Sequence, residues 1–193
     1  MDILGKGFAY EIPKMKNLRR ADNFAKMAVA ASIEACRDLE LSDEVNNVSI
    51  ILATQFGPHV TTFKFLDHLL DYSETGVSPT VFSHSVHNAA ASYIASTLGI
   101  IGQTLTITSF MDPFKQALIL GESWIKTKQA SKIILCYVEE ESDPFTNAHN
   151  HCSFPSYAKD GFRTGAAAIL VNRGDTVKIP EKISNPFTYI EDI

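Results

Sequence analysis

The sequence lacks any apolar run approaching the ~20 residues that a membrane-spanning helix needs. Its first six residues, Met1 to Lys6, also lack the apolar stretch of a signal peptide. Cysteine is scarce too: Cys36, Cys136 and Cys152 are an odd number without the spacing of a disulfide framework, which favours reduced thiols. These absences predict a cytoplasmic protein without a membrane span.

Positive charge is the other property in short supply. The 193 residues include 17 Lys and Arg against 22 Asp and Glu, and the formal net charge is −5. Apart from the pair Arg19-Arg20, the basic residues are scattered, so we expect no nucleic acid as a partner. The hydrophobic content of 45% suits a single globular domain over residues 1–193.

Short apolar runs alternate along the chain with segments of helical periodicity. Helices are predicted over residues 20–39, 61–72, 88–98 and from Pro113 onward, and strands over residues 48–53, 103–110, 132–138 and 166–172. Nearly continuous apolar strands such as 48–53 are typical of buried parallel strands. Asp22 and Asp112 are predicted to cap the helices that follow them. The pattern indicates an α/β fold with a mixed sheet.

Four segments resemble, in the same order, the N-terminal half of the β-ketoacyl synthase family. They are residues 19–35, 78–90, 102–114 and 159–171, and together they extend over nearly all of the chain. The resemblance implies a three-layer fold of the thiolase type, in which a mixed sheet lies between helices. Within the family, the likeness is to short synthase-like proteins that accompany fatty-acid-like or polyene pathways.

The position of the family's nucleophile is the main departure. Condensing enzymes place a cysteine at a turn between a strand and a helix, where the helix N-terminus stabilises the thiolate. The resemblance puts Met111 there, and methionine has no ionisable S–H with which to form a thioester. A methionine could still line an acyl tunnel. The family's two catalytic histidines belong to the C-terminal half, so no catalytic residue is expected in this chain.

Two other side chains are candidates for a relocated nucleophile. Ser109 lies two residues before Met111 and would need a base beside it. Cys152 follows His149 and His151, but neighbours in sequence rarely form a catalytic pair. The same three residues could bind a metal, although a polar loop is the favoured interpretation because no second group of ligands has a usual spacing. We expect neither a metal nor a cofactor.

The remaining polar clusters have simpler interpretations. The acidic run 139–143 is predicted to be a solvated loop rather than a binding site. By analogy with the family, His84 and His87 lie near a dimer interface, where they either bond across it or are exposed. Cys36 and Cys136 are predicted to be small buried residues.

We therefore expect a catalytically silent ketosynthase-like subunit, comparable to a chain-length factor. It would form a homodimer, or a heterodimer with an active ketosynthase, through strand 103–110; an acyl carrier protein is a further candidate partner. Half of the family's fold is expected to expose a broad apolar face until a partner covers it. The alternatives are a protein that binds acyl chains or acyl carrier proteins, and a thioester hydrolase acting through Ser109 or Cys152.

Overall fold

A computed structural model describes residues 1–12, 14–15, 18–38, 48–73, 76–142 and 164–193. Five strands form one sheet in the order β1-β5-β4-β2-β3. Strands β2, β3 and β4 are parallel, and β5 is antiparallel to both β4 and β1. Their bounds are Asp2–Ala9 for β1, Val48–Thr54 for β2, Thr104–Thr108 for β3, Lys132–Glu139 for β4 and Gly165–Asn172 for β5.

Helices cover both faces of this sheet. Their bounds are Asn23–Ala35 for α1, His59–Tyr72 for α2, Pro79–Ser85 for α3, Ala89–Leu98 for α4, Pro113–Lys126 for α5 and Pro186–Asp192 for α6. Helices α1 and α4 pack on one face, and α5 and α6 pack on the other. The predicted three-layer fold with a mixed sheet is confirmed. In the part of the chain that the structure describes, no helix is long and apolar enough to cross a membrane.

Helix α1 lies unusually close to strand β1. A Cβ atom added at Gly7 would come within 2.1 Å of the backbone oxygen of Ala31, and one added at Gly5 would lie 2.1 Å from that of Ala35. The helix presents alanine to the sheet at this contact, so the two backbones approach without intervening side chains. These glycines therefore allow the close spacing between α1 and the sheet.

The second face of the sheet is closed by the end of the chain. Val177 donates a backbone hydrogen bond of 2.7 Å to Met1, which brings the segment after β5 back along β1. Ile183, Phe187 and Ile190 then pack into the core with α5. This segment therefore covers the second face of the sheet, while large hydrophobic residues remain exposed on α2 and around the end of β3. The expected apolar face that a partner would cover stays a prediction.

The two predicted N-caps have different outcomes. Asp22 caps α1 as expected, since its carboxylate accepts a 2.9 Å hydrogen bond from Ala25 N. Helix α5 begins at Pro113 as expected, but the Asp112 side chain makes no capping hydrogen bond. A capping residue needs an extended backbone to direct its side chain at the first turn. Asp112 instead has φ 47° and ψ 49°, in the left-handed region, so the predicted cap was wrong.

Two short helices were not predicted. Each begins with a proline that follows a capping side chain: Ser78 accepts a hydrogen bond from Val81 N at the start of α3, and Asn185 accepts one from Phe187 N at the start of α6. Seven residues are too few to show helical periodicity. The Ser-Pro and Asn-Pro pairs were the available signal.

Candidate functional site

The carboxyl ends of the three parallel strands meet at one edge of the sheet. In open α/β sheets, binding sites form at this edge. The strands end at Thr54, Thr108 and Glu139, and the segments that follow β2 and β3 lie next to each other there. Met111 lies at the turn between β3 and α5, as predicted, and its side chain is 62% exposed.

Ser109 is held in a small hydrogen-bond network around this turn. Its hydroxyl donates to the Met111 carbonyl oxygen at 2.9 Å and accepts from Met111 N at 3.2 Å. The Gln116 amide nitrogen donates to Ser109 Oγ at 3.0 Å and to the same carbonyl at 2.8 Å. The hydroxyl proton is thus directed to a backbone carbonyl, and the amide of Gln116 is not a base. This arrangement fixes the turn rather than activating Ser109.

The conformationally constrained residue of the turn is Asp112, not Met111. A left-handed backbone costs a residue with a side chain about 1 kcal/mol, although Asp and Asn tolerate it better than other types. Asp112 adopts this conformation at the junction between β3 and α5, and the exposed Met111 thioether precedes it.

The structure identifies Glu139 as a site residue that the sequence interpretation missed. It is 1% exposed, and its carboxylate oxygens accept hydrogen bonds from the backbone N–H groups of Gln55 and Phe56. Burial raises the pKa of the Glu139 carboxyl to about 8, against the opposing effect of these hydrogen bonds. The predicted solvated loop was wrong at this position, because Glu139 is the last residue of β4 and points into the protein.

Glu140 is also buried, contrary to prediction. It is 6% exposed and is hydrogen-bonded to Asn23 at the start of α1. Burial, together with the negative charge of Asp22, raises the pKa of the Glu140 carboxyl to about 7. The two adjacent glutamates contact different elements, since Glu139 bonds to the segment after β2 and Glu140 to the start of α1. Within the acidic run, Glu141 is the only described acidic residue that is exposed.

Aromatic rings connect the two segments that follow β2 and β3. The rings of Phe56 and Phe110 lie 5.7 Å apart, and the His59 ring lies 6.0 Å from Phe56 and 6.4 Å from Phe63. Burial lowers the pKa of the His59 imidazole, which favours its neutral form. An aromatic cluster therefore joins the segment after β2 to Phe110, the residue before Met111.

The other histidines of interest have separate surroundings. His84 is 8% exposed, and its Nε2 atom lies 2.7 Å from the Tyr93 hydroxyl within the same chain. It is therefore neither exposed nor dependent on a partner for hydrogen bonding. The exposed His87 ring packs against Gly57.

The two thiols that the structure describes are buried, as predicted. Burial raises the pKa of Cys36 to about 11 and that of Cys136 to about 12, so both remain protonated at neutral pH. His149, His151 and Cys152 lie outside the described residues. Within the described residues, no group of three or more His, Cys, Asp or Glu side chains could hold a metal ion.

The mixed sheet between two helix layers, with a strand-to-helix turn at its carboxyl edge, defines the thiolase-like class of folds to which ketosynthases belong. The profile of the β-ketoacyl synthase N-terminal domain matches residues 8–185, and the chain belongs to this family. No curated protein matches the sequence.

Solved structures of ketosynthase assemblies share this fold. The chain is similar to one chain of the ketosynthase ApeO in complex with its chain length factor ApeC from Xenorhabdus doucetiae, with a TM-score of 0.73 and 17% identity over 99% of this chain and 90% of that one. For the ishigamide ketosynthase/chain length factor, the TM-score is 0.69, with 18% identity over 93% of this chain and 50% of that one.

A third similar structure is AntDE:AntF, a type II PKS acyl-carrier protein in complex with its ketosynthase bound to the hexaketide. Its TM-score is 0.66, with 18% identity over 83% of this chain and 49% of that one. The chain thus spans about half of the matched chains in the second and third structures, and nearly all of the matched chain in the first. At these identities the likeness establishes the fold.

Proposed function

We propose that the chain is a catalytically silent ketosynthase-like subunit that pairs with an active ketosynthase in a polyketide or fatty-acid-like pathway. The observation that carries this proposal is Met111 at the turn between β3 and α5, where the resemblance to the family puts the nucleophile. Condensation requires a thiolate that holds the acyl group as a thioester, and a thioether cannot form that bond. The protein would keep the fold of a synthase while its partner performs the reaction.

Among the residues that the structure describes, the candidate side chains give no substitute for the missing thiolate. Ser109 directs its proton to a carbonyl oxygen, and the buried Cys36 and Cys136 have raised pKa values. The Glu139 side chain is hydrogen-bonded to the backbone of the segment after β2. The apolar rings around Met111 are suited to support an acyl site rather than to transfer protons.

The pairing is proposed to use strand β3, which is an edge of the sheet that the structure describes. Ile50 N bonds to Gln103 O, and Ser109 N bonds to Thr54 O. In a parallel pair, residues bonded to the neighbour alternate with residues whose backbone groups point away. The N–H and C=O groups of Thr104, Thr106 and Thr108 therefore face the open edge.

The side chains of this edge strand do not block pairing. The sequence of β3 is Thr-Leu-Thr-Ile-Thr, without proline or charge. Such an edge readily adds another strand unless it is protected. A partner strand would extend the sheet and satisfy the three outward threonine backbones.

Thr106→Pro tests this proposal, because it removes one outward N–H group while the bonds of β3 to β2 remain. Thr106→Val is the matched control that keeps the N–H group. The mixture with the ketosynthase encoded nearest to this chain is examined by sedimentation velocity. We expect a complex with the unmodified chain and with the valine variant, and separate species with the proline variant. Equal assembly of all three proteins would contradict pairing through β3.

Catalytic silence needs a separate assay. The pure chain is incubated with malonyl and acyl thioesters of a carrier protein, and carbon dioxide release is measured. We expect no release above that of a protein-free sample, and release when the ketosynthase is added. Turnover by the pure chain would contradict the proposal.

A further inference from the structure

Helix α2 has an unusual distribution of apolar side chains. Only His59 of its 14 residues is buried, although a helix of a water-soluble protein normally turns an apolar side towards the core. Phe63, Leu66 and Leu70 are 43%, 41% and 82% exposed. An exposed apolar line of this kind is a candidate interaction surface.

These three residues form a single line with His59. Positions 59, 63, 66 and 70 are separated by four, three and four residues, the spacing that places side chains on one side of a helix for packing against another helix. We call Phe63, Leu66 and Leu70 the α2 seam.

Another side of α2 already contacts helix α3. The Phe65 ring lies 5.3 Å from that of Phe82, and Thr62 Oγ1 donates a 3.0 Å hydrogen bond to the Ser85 carbonyl. The contact with α3 holds α2 in place and leaves the α2 seam available.

The α2 seam continues into the open edge of the sheet. His59 at its base contacts Phe56, whose ring contacts Phe110 directly after β3. Phe110 is 60% exposed, and Met111 beside it is 62% exposed. The rings of His59 and Phe56 therefore connect the exposed α2 seam to the exposed Phe110 and Met111 at the end of β3.

The exposed area of these side chains can be compared with the area of known interfaces. The exposed parts of the α2 seam, Phe110 and Met111 amount to roughly 600 Å² of side-chain surface, at the upper limit for a typical monomer and close to the ~800 Å² per partner of a standard interface. One partner that pairs with β3 could cover the whole of it.

We propose that the subunit that pairs with β3 also packs one of its own helices against the α2 seam. This inference rests on the proposed function and extends its interface from one strand to a strand and a helix. The backbone of β3 would supply the register of pairing, and the α2 seam would supply most of the buried apolar area. Selection of a partner would then depend on the helix that faces Phe63, Leu66 and Leu70.

The test compares two kinds of exposed positions on the same helix. The double variant Leu66→Lys/Leu70→Lys places two charges in the α2 seam. Tyr72→Lys is the matched control, because Tyr72 is 62% exposed but lies on nearly the opposite side of α2 from Leu70. Circular dichroism checks that each variant is folded, and titration calorimetry measures its affinity for the ketosynthase encoded nearest to this chain.

We expect the double variant to weaken the association by at least about tenfold, and the control to change it by less than about threefold. One outcome is that the double variant and the Tyr72→Lys control both bind as tightly as the unmodified chain while Thr106→Pro abolishes binding. In that case the α2 seam is not part of the interface, and pairing through β3 stands. If the double variant alone weakens binding and Thr106→Pro does not, the α2 seam is confirmed and pairing through β3 is wrong. Failure of the unmodified chain to bind the ketosynthase would overturn both proposals.

Discussion

Replacement of Glu139 by glutamine should change how stability depends on pH. The carboxyl is fully buried in the folded protein, and its pKa there is about 8 against an ordinary value of 4.5. Between these values the folded state holds a proton that the unfolded state has lost. The free energy of unfolding should therefore fall as pH rises towards 8, because the folded state must then bury a charge.

The loss of stability caused by Glu139 is clearest between pH 7 and 8. Glu140 also has a raised pKa, of about 7, and contributes mainly below that pH, while the lowered pKa of His59 acts below its ordinary value of 6.5. A carboxyl that titrates near 8 when folded and near 4.5 when unfolded loses about 1 kcal/mol of stability over this single pH unit. Urea denaturation at both pH values measures it.

Glu139→Gln should remove most of this loss between pH 7 and 8. Glu140→Gln is the matched control and should retain most of it, because the Glu139 carboxyl keeps its hydrogen bonds to Gln55 and Phe56. The glutamine at position 139 also places an amide N–H group near the backbone N–H groups of Gln55 or Phe56, so lower stability is expected at pH 5. The burial of a protonated carboxyl would be refuted if the free energy of unfolding fell equally between pH 7 and 8 in Glu139→Gln and in the unmodified chain.

Substitutions at three further positions test local packing and backbone conformation. Gly7→Ala should destabilise the fold by more than about 2 kcal/mol, because its Cβ would lie 2.1 Å from Ala31 O; thermal unfolding measures this. Thr106→Val should stabilise the isolated chain by about 1 kcal/mol, because the buried Thr106 hydroxyl oxygen has no hydrogen-bond partner among the described residues, and an unchanged urea midpoint would contradict it. Asp112→Ala should cost about 1 kcal/mol and Asp112→Asn less than half of that, because Asn tolerates a left-handed backbone; equal losses would indicate another role for Asp112.

The elements that the sequence predicted are those with strong local signals. The apolar runs at 48–53 and 132–138 became the central strands, because short runs of β-branched and aliphatic residues favour buried strands. Asp22 caps the start of its helix as predicted. The likeness to the family was needed to assign Met111 to the nucleophile turn, since methionine has no chemical signature of its own.

The missed features depend on contacts between distant segments. Glu139 belongs to a run of charges that favours solvent exposure, and its burial follows from the segment after β2 that supplies two N–H donors. The cover over the second sheet face comes from α6, whose seven residues are too short to show periodicity. The apolar positions 63, 66 and 70 predicted a helix correctly, but not that its apolar side faces away from the core.

The central claim is that this chain keeps the fold of a ketosynthase while its partner carries the acyl group. The most direct measurement is intact mass spectrometry of the co-purified complex with the ketosynthase, after incubation with an acyl thioester. We expect an added acyl mass on the ketosynthase and none on this chain. An acyl adduct on this chain, mapped to Ser109 or Cys152, would contradict it.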